Sequence, residues 1–385
     1  MSVVATLATA FDCLAAGPAL TVTSEPAPEP VFRSRVDGCA PNDIPDAPAR
    51  AFRDSSGAVH LIAGHDVNRA LVGAALRAVK IACDVVFEGR HADDPQQFDD
   101  RVWLAAFYTE DGRKIAALAH EEFHAYLRPQ LCPSRQYRSC WVNAVIGVES
   151  DDGGRHFERK STPVPVVAAL PYPYEPDIGR QVGYFSPSNI LTDGDYHYVF
   201  VFAEPYRAQE RGPCLLRTRT PFDPTSWRAW DGHDFSVRLG GARQAGSREA
   251  AAVCKPIAGL QSTITTVVRH QPSGLFVALF AASRAAGPAG RQTPGVYYAT
   301  SRDLLAWSDP ALLLELPIMF AYTCGVPAVY AYPSLIDESA ATRNFDTVGD
   351  RAYLYATRFN MTDCKLPMDR DLVRFPVKLA GAAAR

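Results

Sequence analysis

Three absences narrow the class of this 385-residue chain. No stretch approaches the roughly 18 uninterrupted apolar residues that a membrane-spanning helix needs, so no membrane partner is expected. No positive charge accumulates: 39 Lys and Arg stand against 42 Asp and Glu, for a net charge of −3. A nucleic-acid partner would want a clustered basic face, and none is expected. No Cys-x-x-Cys pair occurs among the nine cysteines at 13, 39, 83, 132, 140, 214, 254, 324 and 364, which argues against a cysteine-held zinc. Cys132 and Cys140 flank a polar loop and either bridge or stay as buried thiols. The odd count leaves one thiol free within the chain. Met1–Leu20 lacks a Lys/Arg-rich start and carries Asp12, so it is a poor export signal. A secreted or periplasmic address would need a leader trimmed from the chain.

What is present is loop chemistry. Thirty prolines and 26 glycines favour many short strands over long helices. Residues 1–45 read as a lead-in, because Ser24–Pro30 is too rich in proline for a helix or a central strand. From there an apolar strand, a polar turn with Gly or Asp, and a second apolar strand recur. The turns are Asp54-Ser55-Ser56-Gly57, Thr109-Glu110-Asp111-Gly112, Thr192-Asp193-Gly194-Asp195 and Gln271-Pro272-Ser273-Gly274, followed by a longer insert through Gly349-Asp350. A second strand pair follows most of them: Ser139–Glu149 with Ser150–Glu158, Cys214–Thr220 with Ser226–Trp230, and Gly295–Thr300 with Leu304–Trp307. The pattern predicts an all-β chain, a five-bladed β-propeller with four-stranded antiparallel blades, spanning residues 46–379 with a tail at 380–385.

Within the second unit lies His120-Glu121-Glu122-Phe123-His124. On a helix it would be an H-E-x-x-H zinc-peptidase motif with Glu121 as general base. On a strand, His120, Glu122 and His124 share one face and Glu121 and Phe123 the other. The repeat position favours the strand. The metzincin continuation is also missing, since Leu127 and Gln130 stand where Gly and His would be needed.

Four segments resemble known propellers. Ser150-Asp151-Asp152-Gly153-Gly154-Arg155-His156-Phe157 resembles the Asp-box of sialidase-like propellers, and Tyr298–Ser308 resembles the T-S-x-D-L-x-x-W segment of five-bladed glycosidase propellers. Tyr332-Pro333-Ser334-Leu335-Ile336, and similarly Ser186-Pro187-Ser188-Asn189-Ile190, resemble the D-P-S-x-I blade start of glycoside hydrolase families 43 and 32, with Tyr332 and Ser186 where an acid would stand. The resemblance implies a divergent glycan-active propeller whose carboxylates come from its first three blades. Asp46 would then be the base, Asp100 the tuning acid, and Glu204 or Glu121 the proton donor, for hydrolysis between two carboxyl groups.

The channel-facing ends of the predicted strands supply a wider set. His65 and His124 join the candidate catalytic residues. Arg50, Arg69, Trp103, His120, Asn189, Tyr206, Tyr332, Arg358 and Asn360 are expected to bind an oligosaccharide or polysaccharide, aromatics by stacking and Asn or Arg by hydrogen bonds. Two further readings stay open. A polysaccharide lyase would use His65, His124 and Tyr206 as base and acid, with Arg358 neutralising a uronate. A non-catalytic carbohydrate-binding propeller would show channel aromatics without a close carboxyl pair. No cofactor is firmly implied, and a structural or channel-bound divalent cation is the one the histidines allow. A monomer is expected.

Overall fold

The computed structural model describes residues 20–161, 164–240, 252–286 and 290–381. The described chain is almost entirely strand and turn, and its strands curl into sheets that follow one another in sequence. The first unit contains Arg50–Arg53, Val59–Ile62, Leu71–Gly73 and Lys80–Ile81, paired antiparallel in that order. The second contains Arg101–Tyr108, Ile115–His124, Trp141–Ser150 and Val166–Ala168. A parallel contact between Trp141–Ser150 and Val182–Phe185 joins it to the third, built on Tyr196–Glu204, Gly212–Thr218 and Arg228–Trp230. The fourth runs Thr266–His270, Phe276–Ala286, Arg291–Ser301 and Ala311–Glu315. The last contains Ala328–Ile336, Arg351–Asn360 and Arg370–Gly381.

The ring closes through the start of the chain. Leu20–Ser24 pairs antiparallel with Arg370–Gly381, as does Glu29–Arg33, so the proline-rich lead-in supplies outer strands to the last sheet. Pro30 is tolerated there because an edge position does not demand its missing N–H. The apolar cores lie between consecutive units. One packs Leu61 and Ala51 of the first unit against Ile336, Tyr355 and Leu372 of the last. Another packs Phe52 and Ile62 against Leu104 and Ile146, and a third packs Leu118 and Val145 against Tyr184 and Val199.

Local chemistry explains the hairpins. Gly112 has φ of 76° in the turn before Ile115–His124, and a Cβ there would lie 2.3 Å from the Asp54 carbonyl carbon. Only glycine fits both the left-handed backbone and this contact between two turns. The Ser150 and Ser301 loops share one device. Asp152 Oδ1 accepts from the backbone N–H of Arg155 and His156, each at 3.0 Å, and Asp303 Oδ1 accepts from Leu305 and Ala306 at 2.9 and 2.8 Å. Phe157 and Trp307 then tuck into the adjoining cores.

Two of the predicted outer strands differ. Ser150–Glu158 gives only an isolated Glu149–Glu158 bridge, and the fourth strand lies later at Val166–Ala168. Leu304–Trp307 is a turn, with Ala311–Glu315 as the strand. In both places the Asp-centred turn consumes the residues expected to extend.

Candidate active site at the channel mouth

The strand reading of residues 120–124 holds. Ile115–His124 is one ten-residue strand, with His120 opposite Val145 and His124 opposite Trp141. Alternation therefore sends His120, Glu122 and His124 to one face and Glu121 to the other. The helical zinc-peptidase geometry, with Glu121 beside both histidines, does not form.

On the shared face the three side chains meet. His124 Nε2 lies 2.8 Å from Glu122 Oε2, and His120 Nδ1 lies 3.7 Å from Glu122 Oε1. The other His120 nitrogen, Nε2, is 2.9 Å from Asn143 Oδ1. Burial holds the His120 imidazole below its ordinary pKa, partly offset by Glu122. Glu122 itself keeps 14% of its side chain exposed.

Asp46 faces this group from the segment that leads into Arg50–Arg53. Its backbone N–H bonds Ala63 O at 2.9 Å, fixing it beside His65. The carboxylate receives Arg370 Nη1 and the Tyr332 hydroxyl, the latter at 3.2 Å, and lies 3.6 Å from His65 Nε2. Burial pushes the Asp46 pKa up, against the lowering pull of Arg370 and His65, and the Glu122 charge adds to the rise.

Tyr332 reaches Asp46 through unusual backbone. Its φ is 56°, in the left-handed region, at a bulge between Ala331 and Ser334. A tyrosine in this conformation costs about 1 kcal/mol or more, and such strain is held where the surrounding structure requires it. Here the bulge turns the ring from the strand toward Asp46. Ser186, also followed by proline, has φ of 42° at the corresponding turn of the third unit.

A chain of rings bounds the niche. His65 meets Trp103 at 5.6 Å between centroids, Trp103 meets His120 at 6.2 Å, and His120 meets Phe185 at 5.7 Å. Phe185 meets Trp141 at 6.3 Å, and Trp141 meets His124 at 5.2 Å and Tyr137 at 4.9 Å.

The structure thus gathers Asp46, His65, Trp103, His120, His124 and Tyr332 of the sequence candidates. The others are placed differently. Asp100 is buried, accepting the His124 backbone N–H at 2.8 Å and Arg128 Nη1 and Nη2 at 2.9 and 3.0 Å. Glu121, buried on the reverse face, accepts the Asp100 backbone N–H at 3.4 Å. Glu204 lies 3.2 Å from Arg211 Nε. Arg69 holds Asp43 and Cys83 O, and Asn189 clamps both Val267 N and O at 2.8 Å. Tyr206 donates to Glu175. Asn360 Nδ2 donates to Asp369 and Asp371 at 3.0 Å each, while Arg358 sits opposite Asp371 in the strand register.

Arg50 is not at the mouth. It is 4% exposed at the start of its strand, past Asp46, and its guanidinium is enclosed by segments of the other units. Nε donates to Ala105 O at 2.8 Å, Nη1 to Ser334 Oγ at 3.0 Å, and Nη2 to Pro187 O at 3.2 Å and to Thr265 O. One side chain from the first unit therefore bonds the second, third, fourth and last. No carboxylate is among these partners, and burial pulls the guanidinium down to about 9. A fixed positive charge here opposes a cation at the same level of the axis.

Arg370 escaped the sequence reading. It is 324 residues from Asp46, and only ring closure joins them. Glu122 was legible as the partner of two histidines on a strand face, but not as an acid on the same niche as Asp46.

No family model and no curated protein sequence matches the chain. Solved structures do. A protein of unknown function from Dyadobacter fermentans superposes with a TM-score of 0.53 at 10% identity, covering 93% of this chain and 99% of its own. The catalytic domain of a GH62 α-L-arabinofuranosidase from Coprinopsis cinerea gives 0.51 at 10% identity, covering 92% and 97%. An α-L-arabinofuranosidase from Lactobacillus brevis gives 0.51 at 11% identity, covering 87% and 91%. The chain shares the β-propeller fold of these structures. At this identity the likeness concerns the fold.

Proposed function

We propose that the chain is a glycoside hydrolase on a five-bladed propeller with four-stranded blades, in which Asp46 and Glu122 form the reacting carboxyl pair. The blade count rests on the cores between successive units, the last of which packs onto the first. Residues 46–379 form the body, latched by strands from the lead-in. We read the Ser150 and Ser301 turns as Asp-boxes.

One observation carries the function: Asp46 and Glu122, from different units, border one niche, linked through His65, Trp103 and His120. Position alone cast Asp46 as the base. Its burial argues instead that it holds a proton and delivers it to the glycosidic oxygen as general acid. Glu122, flanked by His120 and His124, then activates water or attacks the anomeric carbon. Arg370 and the Tyr332 hydroxyl orient Asp46. Arabinofuranosides are the first substrates to test, because two propellers sharing this fold carry that activity in their names. The disulfides Cys39–Cys83, Cys132–Cys140, Cys214–Cys254 and Cys324–Cys364 favour an oxidising compartment, secreted or periplasmic.

The test is a panel of arabinan, arabinoxylan and polygalacturonate, read by reducing ends and by ultraviolet absorbance. New reducing ends that fall about 10²–10⁴-fold in both Asp46→Asn and Glu122→Gln are expected for a general acid–base pair. Unsaturated product would make the protein a lyase, and binding without turnover would make it a lectin. Either result overturns the proposal.

A further inference from the structure

The ring chain does not stop at Glu122. Beyond His124 it continues outward to Tyr137 at 5.9 Å, and Tyr137 packs on Tyr126 at 4.9 Å and on Trp141 at 4.9 Å. Tyr137 is 46% exposed, unusual for a large side chain with three aromatic contacts. It lies in the connection between Ile115–His124 and Trp141–Ser150, and the Cys132–Cys140 disulfide closes the base of that loop. Tyr174 Oη donates to Leu131 O at 2.7 Å, pinning the loop from the connection between Val166–Ala168 and Val182–Phe185. A hydrogen-bonded hairpin would need none of this. The loop spends a disulfide and a tyrosine clamp on holding one half-exposed ring beside the niche.

We infer that Tyr137, buttressed by Tyr126 and Trp141, is a sugar-stacking platform that binds a second ring of a glycan chain beside the Asp46–Glu122 niche. The inference rests on the hydrolase reading for its direction, since the platform adjoins Glu122 through His124. The occupant is a sugar ring rather than a peptide or lipid for two reasons. The exposed surface is about half of one aromatic side chain beside a polar niche, and a sugar presents both an apolar C–H face and hydroxyls that reach carboxylate, imidazole and guanidinium. The niche holds one residue of the chain and the platform holds its neighbour, so affinity should grow with chain length. The disulfide fixes the ring before the ligand arrives, which limits the ordering cost of binding.

The experiment compares Tyr137→Ala with Tyr137→Phe. Electrophoresis through gels holding soluble arabinan or arabinoxylan should retard the wild type and Tyr137→Phe but not Tyr137→Ala. In kinetics, the KM ratio of Tyr137→Ala to wild type should be roughly fivefold to tenfold on arabinan, the range of one aromatic contact. It should be several times smaller on 4-nitrophenyl α-L-arabinofuranoside. Equal ratios on the two substrates, or retardation of Tyr137→Ala matching the wild type, overturn the platform. The two readings fail separately. Retardation lost in Tyr137→Ala without hydrolysis by the wild type sinks the hydrolase and keeps the platform. Hydrolysis with an unaffected Tyr137→Ala does the reverse.

Discussion

The mouth and the plug of the channel are separated by a few residues on each inner strand, and they use polar groups in opposite ways. At the plug, Arg50 commits its donors to backbone carbonyls and to the Ser334 hydroxyl, with no group left for a ligand. At the mouth, Asp46, Glu122, His65, His124, Tyr332 and Arg370 bond mainly one another, and all but the buried His124 stay partly open. Satisfied backbone partners make a fastener. Mutually paired side chains make a site, because an arriving ligand can exchange for any of them. The difference also explains why a buried charge is tolerated at each level: dipoles hold the arginine, and opposite charges hold the acids.

That contrast can be broken most severely at the plug. Arg50→Met leaves carbonyls from several units without a donor, at roughly 1–3 kcal/mol each, so a loss on the order of 4 kcal/mol is expected in guanidinium unfolding. An unfolding free energy within about 1 kcal/mol of wild type, a typical single-substitution effect, would show that the apolar cores close the ring unaided. At the mouth, Arg370→Met should cost less stability than Arg50→Met, because Asp46 can take up a proton when its cation is removed, but lower kcat/KM by on the order of 10²-fold through misorientation of Asp46. Because the Arg370 charge pulls the Asp46 pKa down, its removal should move the alkaline limb of kcat/KM to higher pH. A limb that stays put or moves to lower pH would remove Asp46 from the donor role.

The smallest effect is one of pH on stability. Burial holds folded His120 below the ordinary imidazole value of 6.5. The unfolded chain therefore takes up a proton that the folded chain refuses as pH falls below about 6.5, and stability declines there while staying flat above. His197 is shifted in the same sense and adds to the slope. Midpoints measured between pH 5 and 7.5 should fall toward acid, less so in His120→Asn. An identical slope in the variant would place the titration elsewhere.

Much of this architecture was legible because turns announce themselves. Gly57, Gly112 and Gly194 all take positive φ at the hairpin turns read from sequence, and the repeat position made 120–124 a strand despite its helix-forming residues. The outer strands were less legible, because three-residue Val166–Ala168 carries almost no periodicity. The site was legible one side at a time. Alternation put Glu122 between two histidines, but nothing local joins Asp46 to Arg370, and nothing in the sequence separates an arginine that binds sugars from one that fastens sheets. Arg50 looks like a ligand-binding residue because it begins an inner strand. Its partners are carbonyls, and carbonyls have no sequence signature.

The most direct test of the whole account sets Glu122→Gln beside Arg50→Met, measuring turnover on the responsive glycan and the unfolding midpoint of the same samples. The account predicts a Glu122→Gln protein that melts with the wild type and has lost at least about 10²-fold in kcat. It predicts an Arg50→Met protein that melts early and turns over near the wild-type rate per folded molecule. A Glu122→Gln protein that is folded and fully active would contradict it.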